Sequence, residues 1–219
     1  MVRSSDSKGQ EIFRAAGIAR RQRLLAAARE LLATRDFDTL SLADIAERAR
    51  IPKGSAYHYY DDIMDLYGQL LVLIQEDMHV QLRRPLRAAA IESWPDVIAA
   101  LLRRGERYYH ADPAARQLIL SPKSPPQLKL RDRQADVRLG GVFIDHLSAH
   151  FVLPELPGRE AIFFRAVEIA DLMFLLSVLE HGRVVSAMTA EGIRAVNGYL
   201  ATYLPATLPR RGAGPRPRI

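Results

Sequence analysis

Residues 38–60, DTLSLADIAERARIPKGSAYHYY, set two short helices in succession and mark where each begins. Ser41 and Asp44 stand at capping-box spacing, where a hydroxyl and a carboxylate satisfy N–H groups that a helix start leaves free. Leu40 and Ile45 flank that cap at the two positions of a hydrophobic staple. Leu42, Ile45, Ala46 and Ala49 recur at helical spacing and give the first helix one apolar face. Pro52 suits the first turn of the second helix, where a fixed φ and a missing N–H do no harm. Gly54, Ser55, Tyr57, His58 and Tyr59 follow it, small and hydrogen-bonding groups with no carboxylate among them. Such a surface fits an element that enters the major groove of DNA.

The flanks extend the pattern. Leu24, Leu25, Ala28, Leu31 and Leu32 form an apolar stripe upstream, so a longer helix precedes the pair, with Phe37 in the connection. Downstream, Asp62 and Asp65 read as the cap and first turn of a long helix with Ile63, Leu66, Tyr67, Leu70 and Ile74 on one face. Residues 20–74 resemble the DNA-binding domain of the tetracycline-repressor (TetR) family of bacterial transcription regulators. The resemblance is carried by LLAAA at 24–28 with Leu31-Leu32, by TLSLADIAERA at 39–49 and by IPKGSAYHYY at 51–60. It implies an all-α protein, with a three-helix helix-turn-helix domain followed by a helical ligand-binding and dimerisation domain. It also implies a dimer on a palindromic operator, and a repressor that a small-molecule effector releases. By the same resemblance Ser41 contacts phosphate, Lys53, Gly54, Ser55, Tyr57, His58 and Tyr59 present the recognition surface, and Ala56 and Tyr60 pack inward.

Charge agrees with a polyanion partner. The 219 residues carry a net charge of +6, and residues 1–60 hold 11 Lys/Arg against 7 Asp/Glu, whereas 61–110 hold 6 against 8. The electrostatic footprint therefore belongs to the first sixty residues. The absence of cysteine excludes disulfides, thiolate metal sites and cysteine nucleophiles. The polar N-terminus has no signal-peptide run, and the most apolar stretch, Leu172 to Leu179 between Asp171 and Glu180, is too short to span a bilayer. A cytoplasmic protein with no membrane partner is expected.

Beyond residue 75 the helical pattern continues to near 204, broken at Pro85, at Asp112-Pro113, at SPKSPP (121–126) and at 153–159. The resulting division is an N-terminal arm (1–19), a helix-turn-helix domain (20–66), a helical domain (67–204) and a basic disordered tail (205–219) with four prolines, four arginines and no acid. From Phe163 to Leu179 apolar residues cover nearly the whole helix circumference. A second subunit would supply the missing cover through Phe164, Met173, Leu175, Leu176 and Leu179, with Val196 and Leu200 from the next helix, which Thr189 would cap. A central position in a single protomer is the competing explanation.

Polar groups embedded in the apolar helices are the ligand candidates: Tyr108, Tyr109, His110, Gln117, His146, Glu168 and Asp171. For metal chemistry, His146 and His150 lie at i, i+4, and Glu76-x-x-His79 supplies half of what a di-iron carboxylate bundle needs. The second Glu-x-x-His is missing, as are a phosphate loop and a G-x-S-x-G elbow, so no catalytic residues, metal or cofactor are assigned. A helical-bundle metalloenzyme is the alternative function. Two departures from the family bear on DNA. Arg50 occupies a turn position usually held by glycine, which implies a side chain at φ > 0. Ile63, preceded by Asp61 and Asp62, replaces a common phosphate-directed lysine. The arm, with Lys8, Arg14, Arg20, Arg21 and Arg23, would compensate by reaching phosphate or the minor groove, unless it is merely solvated.

Overall fold

A computed structural model describes residues 4–211, with side chains from residue 14 onward. The described residues are helical apart from turns, connections and one isolated bridge between Phe151 and Arg210. The chain divides into two compact units, Met1–Val72 and Leu73–Ile219.

The first unit holds α1 (Ser4–Leu31), a 3-10 turn (Phe37–Thr39), α2 (Leu42–Arg48), α3 (Lys53–Tyr59) and the start of α4 (Ile63–Arg83). Most of residues 4–19 therefore lengthen α1, where the sequence reading had an arm; Lys8 lies outside the described side chains. At the start of α2 the Asp44 carboxylate accepts the Ser41 N–H at 2.8 Å, and Ser41 Oγ accepts the Asp44 N–H at 3.2 Å. Asp62 Oδ1 accepts the Asp65 N–H at 2.8 Å, so the cap of α4 is also where the sequence put it. Each such cap is worth about 1 kcal/mol. The core joins Leu24 and Ala28 of α1 and Leu32 just beyond it, Leu42, Ile45 and Ala46 of α2, and Leu66, Tyr67 and Leu70 of α4. Tyr67 donates its hydroxyl to the Phe37 carbonyl at 3.0 Å, and its ring meets Phe37 edge-on at 6.3 Å.

The second unit comprises the rest of α4, then α5 (Trp94–Ala111), α6 (Pro113–Leu120), α7 (Pro126–His150), α8 (Arg159–His181) and α9 (Ser186–Leu200). Asp96 accepts the Ser93 N–H at 2.7 Å to start α5, and Asp112 accepts the Ala114 N–H at 3.0 Å to start α6. Helices α7 and α8 approach closely at Gly140, where a Cβ would lie 2.9 Å from the Phe164 backbone nitrogen. Gly182 ends α8 in the left-handed region at φ 69°, which only glycine adopts freely.

Two expectations fail in this unit. Helix α9 begins at Ser186, so Thr189 does not cap it and instead lies one turn inside, its hydroxyl donating to Val185 O at 3.4 Å. Nor are residues 205–211 a disordered tail; 212–219 lie outside the described residues. Trp94 Nε1 donates to Pro205 O at 3.0 Å, Val152 N to Pro209 O at 2.8 Å, and Arg211 N to His150 O at 2.9 Å. Leu204 and Leu208 are buried. Apolar anchors and backbone pairing outweigh the entropy that proline-rich, basic composition seemed to favour.

Arg50 is the one non-glycine residue with positive φ among the described residues, at 53°. Arg50→Gly is expected to raise unfolding free energy by about 1 kcal/mol, or about 2–4 °C in Tm, because the strain of a side chain there disappears. Urea unfolding of the two proteins checks this, and a variant no more stable than its parent refutes the strain.

Candidate nucleic-acid interface and acidic cavity

Helix α3 turns one face inward and one outward. Ala56 and the adjoining Tyr60 are 0% and 1% exposed, whereas Lys53, Gly54, Tyr57 and His58 lie exposed and Ser55 and Tyr59 half-buried. The Tyr60 hydroxyl is sealed without a partner, and burial pushes its pKa up. A Cβ on Gly54 would meet nothing within 4 Å, so its surface is open to a partner. Ser41 is exposed at the start of α2. All seven residues marked from the sequence for DNA are thus at least partly accessible in this unit.

The basic residues of α1 divide into two groups. The Arg23 guanidinium bonds the Ala49 and Arg50 carbonyls, holding the turn between α2 and α3. Arg21 lies over the Tyr59 ring, 5.4 Å from its centroid, a cation–π contact that steadies the end of α3. Arg23, assigned to an arm, is therefore part of the head's own scaffold. Its signal was unreadable because its partners lie 26 and 27 residues away. Arg14 and Arg20 remain exposed.

In the second unit the ligand candidates separate. Tyr108 donates to Ile74 O at 2.9 Å, and His146 Nε2 meets Leu82 O at 2.8 Å in a buried site, so both serve packing. His110 is exposed and pairs with Glu106 at 3.9 Å in a different groove, and half-buried Gln117 lines neither the cavity nor that groove. Tyr109, Glu168 and Asp171 do converge, together with Asp132 and Asp136 of α7, which the sequence reading missed. Oxygens of Asp132, Asp136 and Asp171 lie within 4.8 Å of one another. They open on a cavity of about 480 Å³ with Ile119, Leu120, Ile169, Leu172 and Leu175 in its wall. The signal for Asp132 and Asp136 was their i, i+4 spacing. It was masked by the arginines that surround the two acids in RDRQADVR.

The sequence's metal candidates do not assemble. Arg138 grips Glu76 with two hydrogen bonds, the shorter 2.5 Å, and His150 leans against Phe151 rather than joining His146. Of the interface candidates, Leu179 is exposed and Phe164, Met173, Leu175 and Leu176 are half-buried. Val196 and Leu200 are not available to a partner, being 0% exposed inside their own unit.

Burial, then the charges of Asp171, Asp132 and Glu168, pushes Asp136 up to about 10; burial also raises Asp132 to about 6 and Asp171 well above the carboxylate range. The folded state therefore binds these protons more tightly than the unfolded chain. The associated stability is complete below the ordinary carboxylate pKa and is lost as pH rises through 6 toward 10. Asp136→Asn keeps the shape and removes the titration. It is expected to match the parent near pH 4 and exceed it at pH 8 by at least about 1 kcal/mol, since one pKa unit is worth that much. Unfolding curves at both pH values check this, and parallel pH profiles refute it.

Residues 24–70 match the model of the bacterial regulatory proteins of the tetR family. None of the curated proteins matches the chain. Among solved structures, a TetR-family transcriptional regulator from Streptomyces coelicolor is 20% identical with a TM-score of 0.66, covering 84% of this chain and 99% of that one. A TetR regulator from Rhodococcus sp. RHA1 is 19% identical (TM-score 0.61, 84% and 97% covered), and one from Pectobacterium atrosepticum is also 19% identical (TM-score 0.61, 89% and 98%). At these identities the structures speak for the fold. Among the described residues no helix is long and apolar enough to cross a membrane. With its capped α2, its outward-facing α3 and the match over 24–70, the first unit carries a helix-turn-helix of the kind found in the bacterial regulatory proteins of the tetR family.

Proposed function

We propose that the protein is a dimeric repressor that reads a palindromic operator with α3 and releases it when a small molecule enters the acidic cavity. The observation that carries the DNA half is the division of α3 into an inward pair, Ala56 and Tyr60, and an outward set of polar groups. Lys53 supplies a cation, Tyr57 and Ser55 hydroxyls for phosphate, and His58 a ring nitrogen for a base edge. Ser41, at the α2 start, adds a second phosphate donor. Two such heads on one duplex require two chains, and α8 and α9 offer the surface for pairing: Leu172 and Leu179 are 51% and 57% exposed, Tyr203 just beyond α9 41%. Apolar side chains left exposed favour a second copy as their cover. The effector half is supported by the cavity's size, which falls in the range of small-molecule sites.

Operator selection from random DNA, followed by titration, tests the DNA half. His58→Ala is expected to weaken the selected operator by about 1–3 kcal/mol with helix content unchanged. Equal affinity for the parent and a His58→Ala, Tyr57→Ala pair would remove α3 from recognition. For the pairing surface, Leu179→Arg is expected to shift sedimentation from dimer to monomer, because an unpaired charge in an apolar seam costs several kcal/mol, or at least about 2. A parent that sediments as a monomer at micromolar concentration defeats the palindromic reading.

A further inference from the structure

The acidic cavity has an unusual charge balance. Asp136 is 4% exposed, and among the described residues no N–H or O–H donor from a cation or amide reaches it or Asp171. The cations in or beside the lining are engaged elsewhere: Arg133 with Glu168 at 3.0 Å, Arg138 with Glu76, and Lys129 with Pro122 O at 3.4 Å, while Arg165, which also lines the cavity, lies beside the Tyr199 hydroxyl. Gln75 serves only Asp132, at 3.0 Å. Glu168 gives Oε2 to Arg133 and leaves Oε1 sealed from solvent with no hydrogen-bond partner, and His79 Nδ1, from α4, is sealed in the same way. Tyr109 of α5, Arg165 of α8 and Tyr199 of α9 add further polar groups to the lining.

We propose that this cavity binds a small organic cation, a protonated amine on an apolar body, with its ammonium among Asp132, Asp136 and Asp171 and its body along Ile169, Leu172 and Leu175. The proposal rests on the effector reading above and names the class of that effector. An ammonium carries three N–H donors, and three carboxylates face one point from α7 and α8. Donation to a carboxylate is the stronger, charge-assisted kind of hydrogen bond, and the low-polarity wall strengthens it further. The remaining volume and its apolar wall call for a hydrocarbon body, which a bare divalent ion would leave empty. In the free protein Asp136, pushed up to about 10 by burial and its acidic neighbours, keeps a proton that a bound cation would displace.

The test uses three probes with one chain and different heads: octylamine, octanol and octanoate, each titrated calorimetrically into the full-length protein at pH 7.5. Octylamine is expected to bind at least about tenfold more tightly than the other two, the minimum for a charge-assisted contact. Asp136→Asn and Asp171→Asn, close in shape to the acids they replace, are expected to keep the circular dichroism spectrum and to lose about tenfold or more in octylamine affinity. Heats in buffers of different ionisation enthalpy should show release of about one proton per amine bound. Octanol binding as well as octylamine, or full octylamine affinity in Asp171→Asn, overturns the proposal. So does stabilisation by magnesium, calcium or manganese chloride that Asp171→Asn abolishes, in a protein that ignores octylamine. Operator titration with the same probes separates the two readings. Octylamine that binds without weakening the operator upholds the cation site and defeats effector release; operator release by octanoate alone does the opposite.

Discussion

A seven-residue helix has few internal hydrogen bonds and is unstable alone in water, and α2 and α3 are both that short. Every other feature of the first unit offsets that cost. Ser41 and Asp44 satisfy the free donors of α2, and the Ala46 carbonyl accepts the Ile51 N–H at 2.9 Å to close the turn. Arg23 then clasps the two carbonyls at the turn's apex. Ile45 and Ala56 are fully buried, so each short helix is held by its neighbours rather than by its own length. The Tyr67 phenol, hydrogen-bonded to Phe37 O, ties α4 to the connection that precedes α2. The strain at Arg50 is small beside these contributions, which explains why a non-glycine residue persists there.

The second unit meets a different constraint, set by charge rather than by length. Helices α7 and α8 pack without a side chain between them at Gly140, and one to two turns away they bring acids of both helices together. Close packing and carboxylate clustering oppose each other unless protons or a cation neutralise the cluster. The fold retains the acids at the cost of stability above neutral pH. Sites of that kind concentrate where binding, not stability, has shaped the residues.

What was legible in the sequence was local. The caps at Ser41 and Asp62 and the helix end at Arg83 before Pro85 depend on residues within a few positions of each other, whereas the positive φ at Arg50 was implied by the family resemblance. The inward placement of Ala56 and Tyr60 followed from the family resemblance. What escaped was nonlocal. Arg210 docks by pairing with Phe151 and by bonding the Ile91 carbonyl 119 residues away, and Leu208 is buried beside it in the chain. Asp136 looked like one acid among arginines until α8 placed Glu168 and Asp171 opposite it. Val196 and Leu200 fit an interface stripe equally well as a core stripe, and only packing decided for the core.

The in–out division of α3 also bears on how such a head changes over evolutionary time. Ala56 and Tyr60 answer to the core, whereas Lys53, Gly54, Tyr57 and His58 touch little of their own chain. Selection for folding and selection for sequence preference therefore act on separate letters of one short word. A lineage can drift to new binding sites by rewriting the four outward letters while the two inward ones stay fixed. The same separability makes residues 53–59 a natural cassette for transplanting another regulator's preference onto this scaffold.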